Sequence, residues 1–442
     1  LFEILNIRKA IIPFTILGLL AALGLTISEY GPTHTYGKHM IMVDKFSSSF
    51  SALFIILTIF LIALSHDFYR NSATKISDFI SIKLFLLAGA ISMVSFANLS
   101  MFFLGIEVLS ISLYILAASD RLNVKSNEAG MKYFLLGSFA SGIILFGICL
   151  IYGAIGSFDI AEIANQTGSA ELPDWFFIGI VLLTIGMLFK IAAVPFHFWA
   201  PDVYQGSPTL ITATMSTLTK VVAMAAFYKL LTGMSATGIS DRYDIVIAIV
   251  SIASMTVGNI MALRQSNVKR ILAFSGIAHA GYMLMAFLNI SNSAGILLYY
   301  SAAYALAGIA AFAVILFVCR DKDNEEIYNF NGLGKTKPVL AAVLTCALLS
   351  MAGIPIFAGF FAKFALFTST IQGGYLYVVL AAVINSIISV GYYFKLILAM
   401  YTKESNEPAT QTPFAFYAVA VVSILLNVGI GLYPSFVMNL IQ

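Results

Sequence analysis

TIGMLFKIAAVPFHFWAPDVYQGSP, residues 184–208, decides the fold. An apolar run carries Lys190 in its middle and then meets Pro195 and Pro201 where a helix would otherwise continue. Proline removes a backbone donor and breaks a helix. A broken helix at membrane depth is tolerated only beside a polar or water-filled interior. The theme recurs at SMAGIPIFAGF, residues 350–360, where Pro355 sits between glycines. Each break has a lysine nearby: Lys190 before Pro195, and Lys363 after Pro355.

The rest of the chain fits the same solvent. Of 442 residues, 60% are hydrophobic and 10% charged, against about 25% charged in soluble domains. Apolar runs of about twenty residues recur from end to end, which means a bilayer. They lack the two-residue alternation of barrel strands, so they are helices. The fold class is an all-α polytopic membrane protein with about thirteen transmembrane helices. Their expected limits are 10–28, 48–66, 79–97, 99–118, 129–153, 175–205, 208–232, 243–263, 270–289, 294–319, 338–372, 375–402 and 413–440. The main polar connections are 29–47, 154–174 and 320–337. A net charge of +3 is too small to indicate a nucleic-acid partner. Cys149, Cys319 and Cys346 lie in separate apolar runs, without metal-ligand spacing, and read as small packing residues.

Charge orients the chain. With a cytoplasmic N-terminus, one set of loops holds Arg8, Lys9, Arg70, Lys75, Arg121, Lys125, Arg264, Lys269, Arg270, Arg320, Lys322, Lys335, Lys337 and Lys403. The other side has Lys38, Lys45 and Arg242, together with the acidic residues Asp159, Glu162, Glu171 and Asp174. Basic loops stay cytoplasmic.

Several ionisable residues sit inside apolar runs: Glu107, Lys190, Lys220, Lys363 and His279. A charge at mid-bilayer costs about 2.5–3.5 kcal/mol even on the lenient insertion scale. Glu107, Lys190 and Lys220 are too deep to snorkel, whereas Lys132 and Lys395 lie nearer helix ends. The broken spans are the sixth and eleventh, Glu107 and His279 are on the fourth and ninth, and Lys220 and Lys395 on the seventh and twelfth. One offset of five spans suggests a five-helix repeat, with the second copy inverted because five is odd. The expected organisation is N-terminal helices over 1–78, a first repeat over 79–232, an inverted repeat over 243–402, and a last helix in 413–442.

A lysine in low dielectric loses part of its preference for the charged form, and a nearby carboxylate restores it. A Glu–Lys couple is thus a proton switch, and histidine can relay near neutral pH. The sequence has no P-loop, Rossmann fingerprint or His/Cys metal cluster. Energy must therefore come from a partner or an ion gradient.

The stretch FKIAAVPFHFWAPDVYQGSP (189–208) resembles the signature of the antiporter-like membrane subunits of respiratory complex I. FLGIEVLSISLY (103–114), NVKRILAFSGIAHAGYML (267–284) and LLSMAGIPIFAGFFAKF (348–364) extend the resemblance over nearly the whole chain. DVYQG is closer to the N-type subunits than to the L and M types. The resemblance implies proton-translocating roles for Glu107, Lys190, Lys220, Lys363, His279 and, in AGMKYFLLGS (129–138), Lys132. It implies a translocase subunit in a bacterial inner membrane that binds no cofactor itself. NADH, FMN, iron–sulfur clusters and quinone would lie in partner subunits, and its neighbours would be other antiporter-like and small membrane-arm subunits. Such subunits usually have fourteen helices, so the expectation is that a first helix is missing before Leu1. The alternatives are a subunit of a multi-subunit cation/proton antiporter, and a membrane scaffold with vestigial charges.

Overall fold

The computed structural model describes residues 7–69, 76–167, 172–234, 241–320, 322–404 and 412–441. Arg70, Lys75 and Glu171 of the charge tally lie outside the described residues. In chain order, α1 (Ile11–Ser28) leads to a short antiparallel hairpin, β1 (His34–Tyr36) and β2 (Ile41–Val43). The sequence alone predicts only a polar connection here. Gly37, Lys38 and His39 all take positive φ and reverse the chain there. α2 (Lys45–Phe68), α3 (Ile76–Ser95), α4 (Leu99–Ala117) and α5 (Val124–Ile155) follow. A short helix, α6 (Ile160–Thr167), lies in the next connection and buries only Ile163.

The first broken crossing is α7 (Asp174–Lys190) with α8 (Trp199–Gly206). The next is α9 (Thr209–Thr214), a π turn over Met215–Thr219, and α10 (Lys220–Met234), which run as one span. α11 (Asp241–Leu263), α12 (Val268–Leu284) and α13 (Ala294–Val318) come next, then the small α14 (Leu333–Thr336). α15 (Pro338–Ala352) and α16 (Ala358–Gln372) form the second broken crossing, before α17 (Leu376–Thr402), α18 (Phe414–Leu432) and the short α19 (Pro434–Met438). Among the described residues, eleven helices are long and apolar enough to cross a membrane, and the two broken pairs supply the other expected crossings.

Helix starts differ from the expected limits where caps decide them. α2 begins at Lys45 because Asp44 accepts from the Ser47 amide at 2.7 Å while Ser47 Oγ accepts from the Asp44 amide at 2.8 Å. α5 begins at Val124, capped by Asn123, and stops at Gly156 in the left-handed region. Its 32 residues span about 48 Å at 1.5 Å per residue, well beyond the hydrocarbon core of about 30 Å.

The span Thr209–Met234, α12 and α13 are almost wholly buried and form the centre. A helix apolar on all sides belongs in such a position. α1, α5 and α17 present Phe14, Phe139 and Ile387 among many exposed apolar side chains. Cys149 lies exposed on α5, so it does not pack in the interior as expected. Close crossings use small residues: a Cβ on Gly147 would meet the Gly179 carbonyl at 2.8 Å, and one on Gly179 would meet the Gly147 carbonyl at the same distance.

Candidate functional site

The first break opens at Lys190, the last residue of α7. Ala192 takes a positive φ of 57°, and the chain turns through Pro195 before α8. Freed backbone groups find partners: the Val194 amide donates to Ser254 Oγ at 2.9 Å, and Trp199 Nε1 donates to the Phe189 carbonyl at 3.0 Å. Pro201 falls in the first turn of α8, where a missing amide costs nothing, so it does not itself break a helix.

Lys190 Nζ donates to Ser110 Oγ at 2.8 Å and Ser141 Oγ at 3.2 Å. Among the described residues no hydrogen bond joins Lys190 to Glu107. The amine is held by hydroxyls, and Glu107 stands one turn from Ser110 along α4. Glu107 Oε1 is buried without a hydrogen-bond partner among the described residues. Glu107, Ser110 and Tyr114 share one helix face by their spacing of three and four.

The second break follows the same design. α15 ends at Gly353, with φ +88°, and α16 starts at Ala358. The break frees the Ala352 carbonyl, which accepts from Lys363 Nζ at 2.9 Å and from Ser386 Oγ at 3.2 Å. Lys363 also donates to Ser386 Oγ at 2.9 Å and lies over the Tyr282 ring, 4.8 Å from its centroid. The Lys363 amine thus lies at the carbonyl end of α15, where the helix dipole favours a cation, whereas Lys190, itself the last residue of α7, has its amine held by serines of α4 and α5.

Between them lies the central row. Lys220 is 3% exposed, and its Nζ has no hydrogen-bond partner among the described residues. It sits over Gly276 of α12: a Cβ there would come within 2.9 Å of the amine and 3.1 Å of the Tyr304 hydroxyl. Tyr304 in turn stands 3.5 Å from Ser216 Oγ. Its ring lies 4.7 Å from that of His279. His279 Nδ1 bonds the Tyr300 hydroxyl at 2.8 Å and Nε2 the Tyr393 hydroxyl at 3.3 Å. Tyr393 meets Ser275 Oγ at 2.5 Å. A neutral imidazole offers one donor and one acceptor, so each of these bonds can reverse its direction. A cavity of about 10 Å³ bordered by His279, Tyr300, Tyr304 and Ser350 is the size of one water.

Lys220, His279 and Lys363 are therefore brought together, while Lys190 and Glu107 form a neighbouring group. A chain of ring contacts, edge-on, stacked and edge-on in turn, links Tyr114, Tyr133, Trp199 and Tyr204. Lys132 lies apart. Its side chain is 45% exposed and pairs with Glu128 at 2.7 Å and Asp202 at 3.6 Å. Lys395 is exposed and donates to the Gln265 carbonyl at 2.9 Å.

Sequence reasoning missed the buried Lys83 and Lys229, and it counted the buried Lys269 as a loop charge. Lys83 donates to Ser65 Oγ at 2.7 Å, and Lys229 donates to the Val94 carbonyl at 2.7 Å with Asp44 at 3.5 Å. The signal was available: each interrupts an apolar run, SIKLFLL (81–87) and AAFYKLL (225–231). Among the described residues, no three His, Cys, Asp or Glu side chains cluster to hold a metal ion.

Residues 97–389 match the family model described as NADH:quinone oxidoreductase/Mrp antiporter, TM. NADH-quinone oxidoreductase subunit N of Flavobacterium johnsoniae is 69% identical over 448 residues, covering 100% of this chain and 97% of that protein. A chain of respiratory complex I from Thermus thermophilus superimposes with a TM-score of 0.85 at 31% identity, covering 98% of this chain and 94% of that one. A chain of the archaeal membrane-bound sulfane sulfur reductase gives 0.88 at 25% identity, covering 98% and 91%.

Proposed function

We propose that this chain, which belongs to the NADH:quinone oxidoreductase/Mrp antiporter family of membrane proteins, serves as subunit N of a bacterial NADH:quinone oxidoreductase. It is a multi-pass subunit of the inner membrane and moves protons. Partner subunits hold NADH, FMN, iron–sulfur clusters and quinone and carry the electrons. The relatives named subunit N, matched over nearly their whole length, favour this over a subunit of a multi-subunit cation/proton antiporter.

The observation that carries the reading is the buried row Lys220–Tyr304–His279–Tyr393, with Lys363 at the second break. Its members exchange protons, and its surroundings exclude bulk water. In our reading Glu107 tunes Lys190, and Lys190, Lys220 and Lys363 carry protons with His279 as relay. Lys132 supports this row from the exposed end of α5. When Glu107 moves relative to Lys190, the amine gains or loses a neighbouring anion in low dielectric, which alters its hold on the proton. Two broken crossings, each with a lysine near a freed helix end, support an inverted repeat over 79–232 and 243–402. The basic loops support a cytoplasmic N-terminal end of α1.

The test replaces one amine at a time in the intact complex. Lys190→Met and Lys220→Met should leave the complex assembled on native gels and strongly reduce quinone reduction and proton pumping in membrane vesicles. Lys190→Arg should fail as well, because guanidinium does not release a proton near neutral pH. Near-normal pumping in assembled Lys190→Met and Lys220→Met complexes would remove the path.

A further inference from the structure

We propose that the Lys269–Glu325 pair, at the floor of a polar cavity on the basic-loop face, is the entry site for protons bound for Lys220. The inference rests on the reading of Lys220 as a proton carrier. The cavity has a volume of about 480 Å³, and Asp120, Gln205, Asp323 and Glu326 are among its walls. At its floor Lys269, in the first turn of α12, is 2% exposed. Its amine donates to the Glu325 carboxylate at 3.0 Å and to the Ser207 carbonyl at 2.8 Å. Glu325 also accepts from Asn267 Nδ2 at 3.3 Å and Thr209 Oγ1 at 3.4 Å. A buried ion pair adds little net stability over an apolar pair of the same volume. What it does provide is a carboxylate that water can reach, since Glu325 keeps 20% of its side chain exposed.

Two stripes run inward from this pair. On α12, Lys269 and Gly276 are seven residues apart and so share a face, and the Lys220 amine sits over Gly276. On the facing span, Thr209, Thr212, Ser216 and Lys220 follow at steps of three, four and four, again one helix face. The outermost, Thr209, touches Glu325, and Ser216 touches the Tyr304 hydroxyl beside Lys220. Thr212 and Ser216 are buried. The π turn Met215–Thr219 lies inside the stripe, and such turns recur at functional sites.

Each hydroxyl both donates and accepts, so each can pass a proton, with water bridging the wider gaps. Water in the cavity relays a proton from the medium to the Glu325 carboxylate, which loosens its hold on Lys269. The proton then passes along Thr209, Thr212 and Ser216 to the neutral amine of Lys220. Glu325 returns to the carboxylate and pairs again with the Lys269 ammonium. Lys269 is a positioning residue that keeps the carboxylate at the mouth of the stripe.

The experiment uses the intact complex in inverted membrane vesicles, which present the basic-loop face to the medium. Glu325→Gln and, separately, a Thr209→Val/Ser216→Ala double variant should each slow NADH-driven pumping several-fold with the complex assembled. In Glu325→Ala, added acetate should restore part of the rate, because a small acid can take the vacated place. The hydroxyl double variant should show no such rescue. A pair that only braces the loop would give no acetate rescue, and that result, with normal pumping in the double variant, overturns the proposal. If the Glu325 variants do not assemble, the double variant decides alone: a normal rate overturns the entry site. Lys220→Met separates the two levels. If it stops pumping while the entry variants run normally, only the entry site fails; if it too pumps normally, the reading of Lys220 fails with it.

Discussion

Tyr393→Phe removes one oxygen atom from the centre of the proposed row and leaves the ring in place. That hydroxyl joins Ser275 Oγ at 2.5 Å to His279 Nε2 at 3.3 Å, in a position only 1% exposed. A buried polar atom left without its partner costs about 1–3 kcal/mol. Ser275 can turn its hydroxyl toward another acceptor, but the ring nitrogen of His279 cannot turn while Tyr300 holds the other side. At about 1.4 kcal/mol per decade, a loss of about 1–3 kcal/mol falling on the transfer step slows it by about fivefold to somewhat over a hundredfold. The assay is NADH-driven quinone reduction and proton pumping in membrane vesicles, normalised to complex assembled on native gels. Tyr299→Phe is the matched control. Its ring is also fully buried, but its hydroxyl donates to the Ile430 carbonyl at 3.2 Å, outside the row. Tyr393→Phe should lose both activities together, and Tyr299→Phe should keep them. Equal pumping rates in the two assembled variants would refute conduction through His279 and Tyr393.

Gly276→Val should reduce pumping in assembled complex, because even the Cβ would lie 2.9 Å from the Lys220 amine; an unchanged rate would show that the amine need not rest there. In a background lacking the native cysteines, a cysteine at Gln166 should label from the periplasmic face and one at Ser266 from the cytoplasmic face, and the reverse pattern would invert the topology. Asp44→Ala should lower the melting temperature of the complex, since it removes a cap worth about 1 kcal/mol and the anion facing Lys229. Asp44→Asn keeps the cap, so it should recover most of the loss in a thermal-shift measurement, and equal shifts for the two variants would exclude the cap as the cause.

Local chemistry is legible in one sequence; contact between distant helices is not. Pro195 and Pro355 announce the two breaks, because proline removes a donor whatever its neighbours are. Lys190, Lys220 and Lys363 stand out because charge inside an apolar run has a cost visible in the run itself. α2 starts three residues before the expected apolar run because the Asp44–Ser47 cap extends the helix into a stretch that is not apolar. Hydropathy sees the crossing and not the cap. Ser110 was legible in principle, one turn from Glu107 on the same face of α4, but serine is common in membrane helices and only its contact with Lys190 gives it weight. Tyr304, Tyr300 and Tyr393 were out of reach altogether. Each meets the row across a helix–helix interface, and no local spacing encodes which turn of α13 or α17 faces α12. Lys83 and Lys229 were passed over because neither has a proline break or a partner carboxylate nearby in the sequence.

The breaks and the lysines belong to one device. An unbroken helix satisfies its own carbonyls and has nothing to offer a cation at mid-depth. Breaking it after Ala352 leaves a carbonyl that Lys363 and Ser386 both reach. The amine is then held by neutral groups, so it can give up its proton without abandoning a buried carboxylate. Lys190 shows the same logic, with Ser110 and Ser141 as neutral holders and Glu107 one turn from Ser110 without a bond to the amine. A direct ion pair would lock the proton in place, because separating buried opposite charges is costly. The Lys269–Glu325 pair is the contrast: it sits where a carboxylate can exchange with water, at the polar cavity. Paired charge at the mouth and neutral hydroxyl contacts in the interior are what a path needs if it is to capture protons at one end and release them along its length.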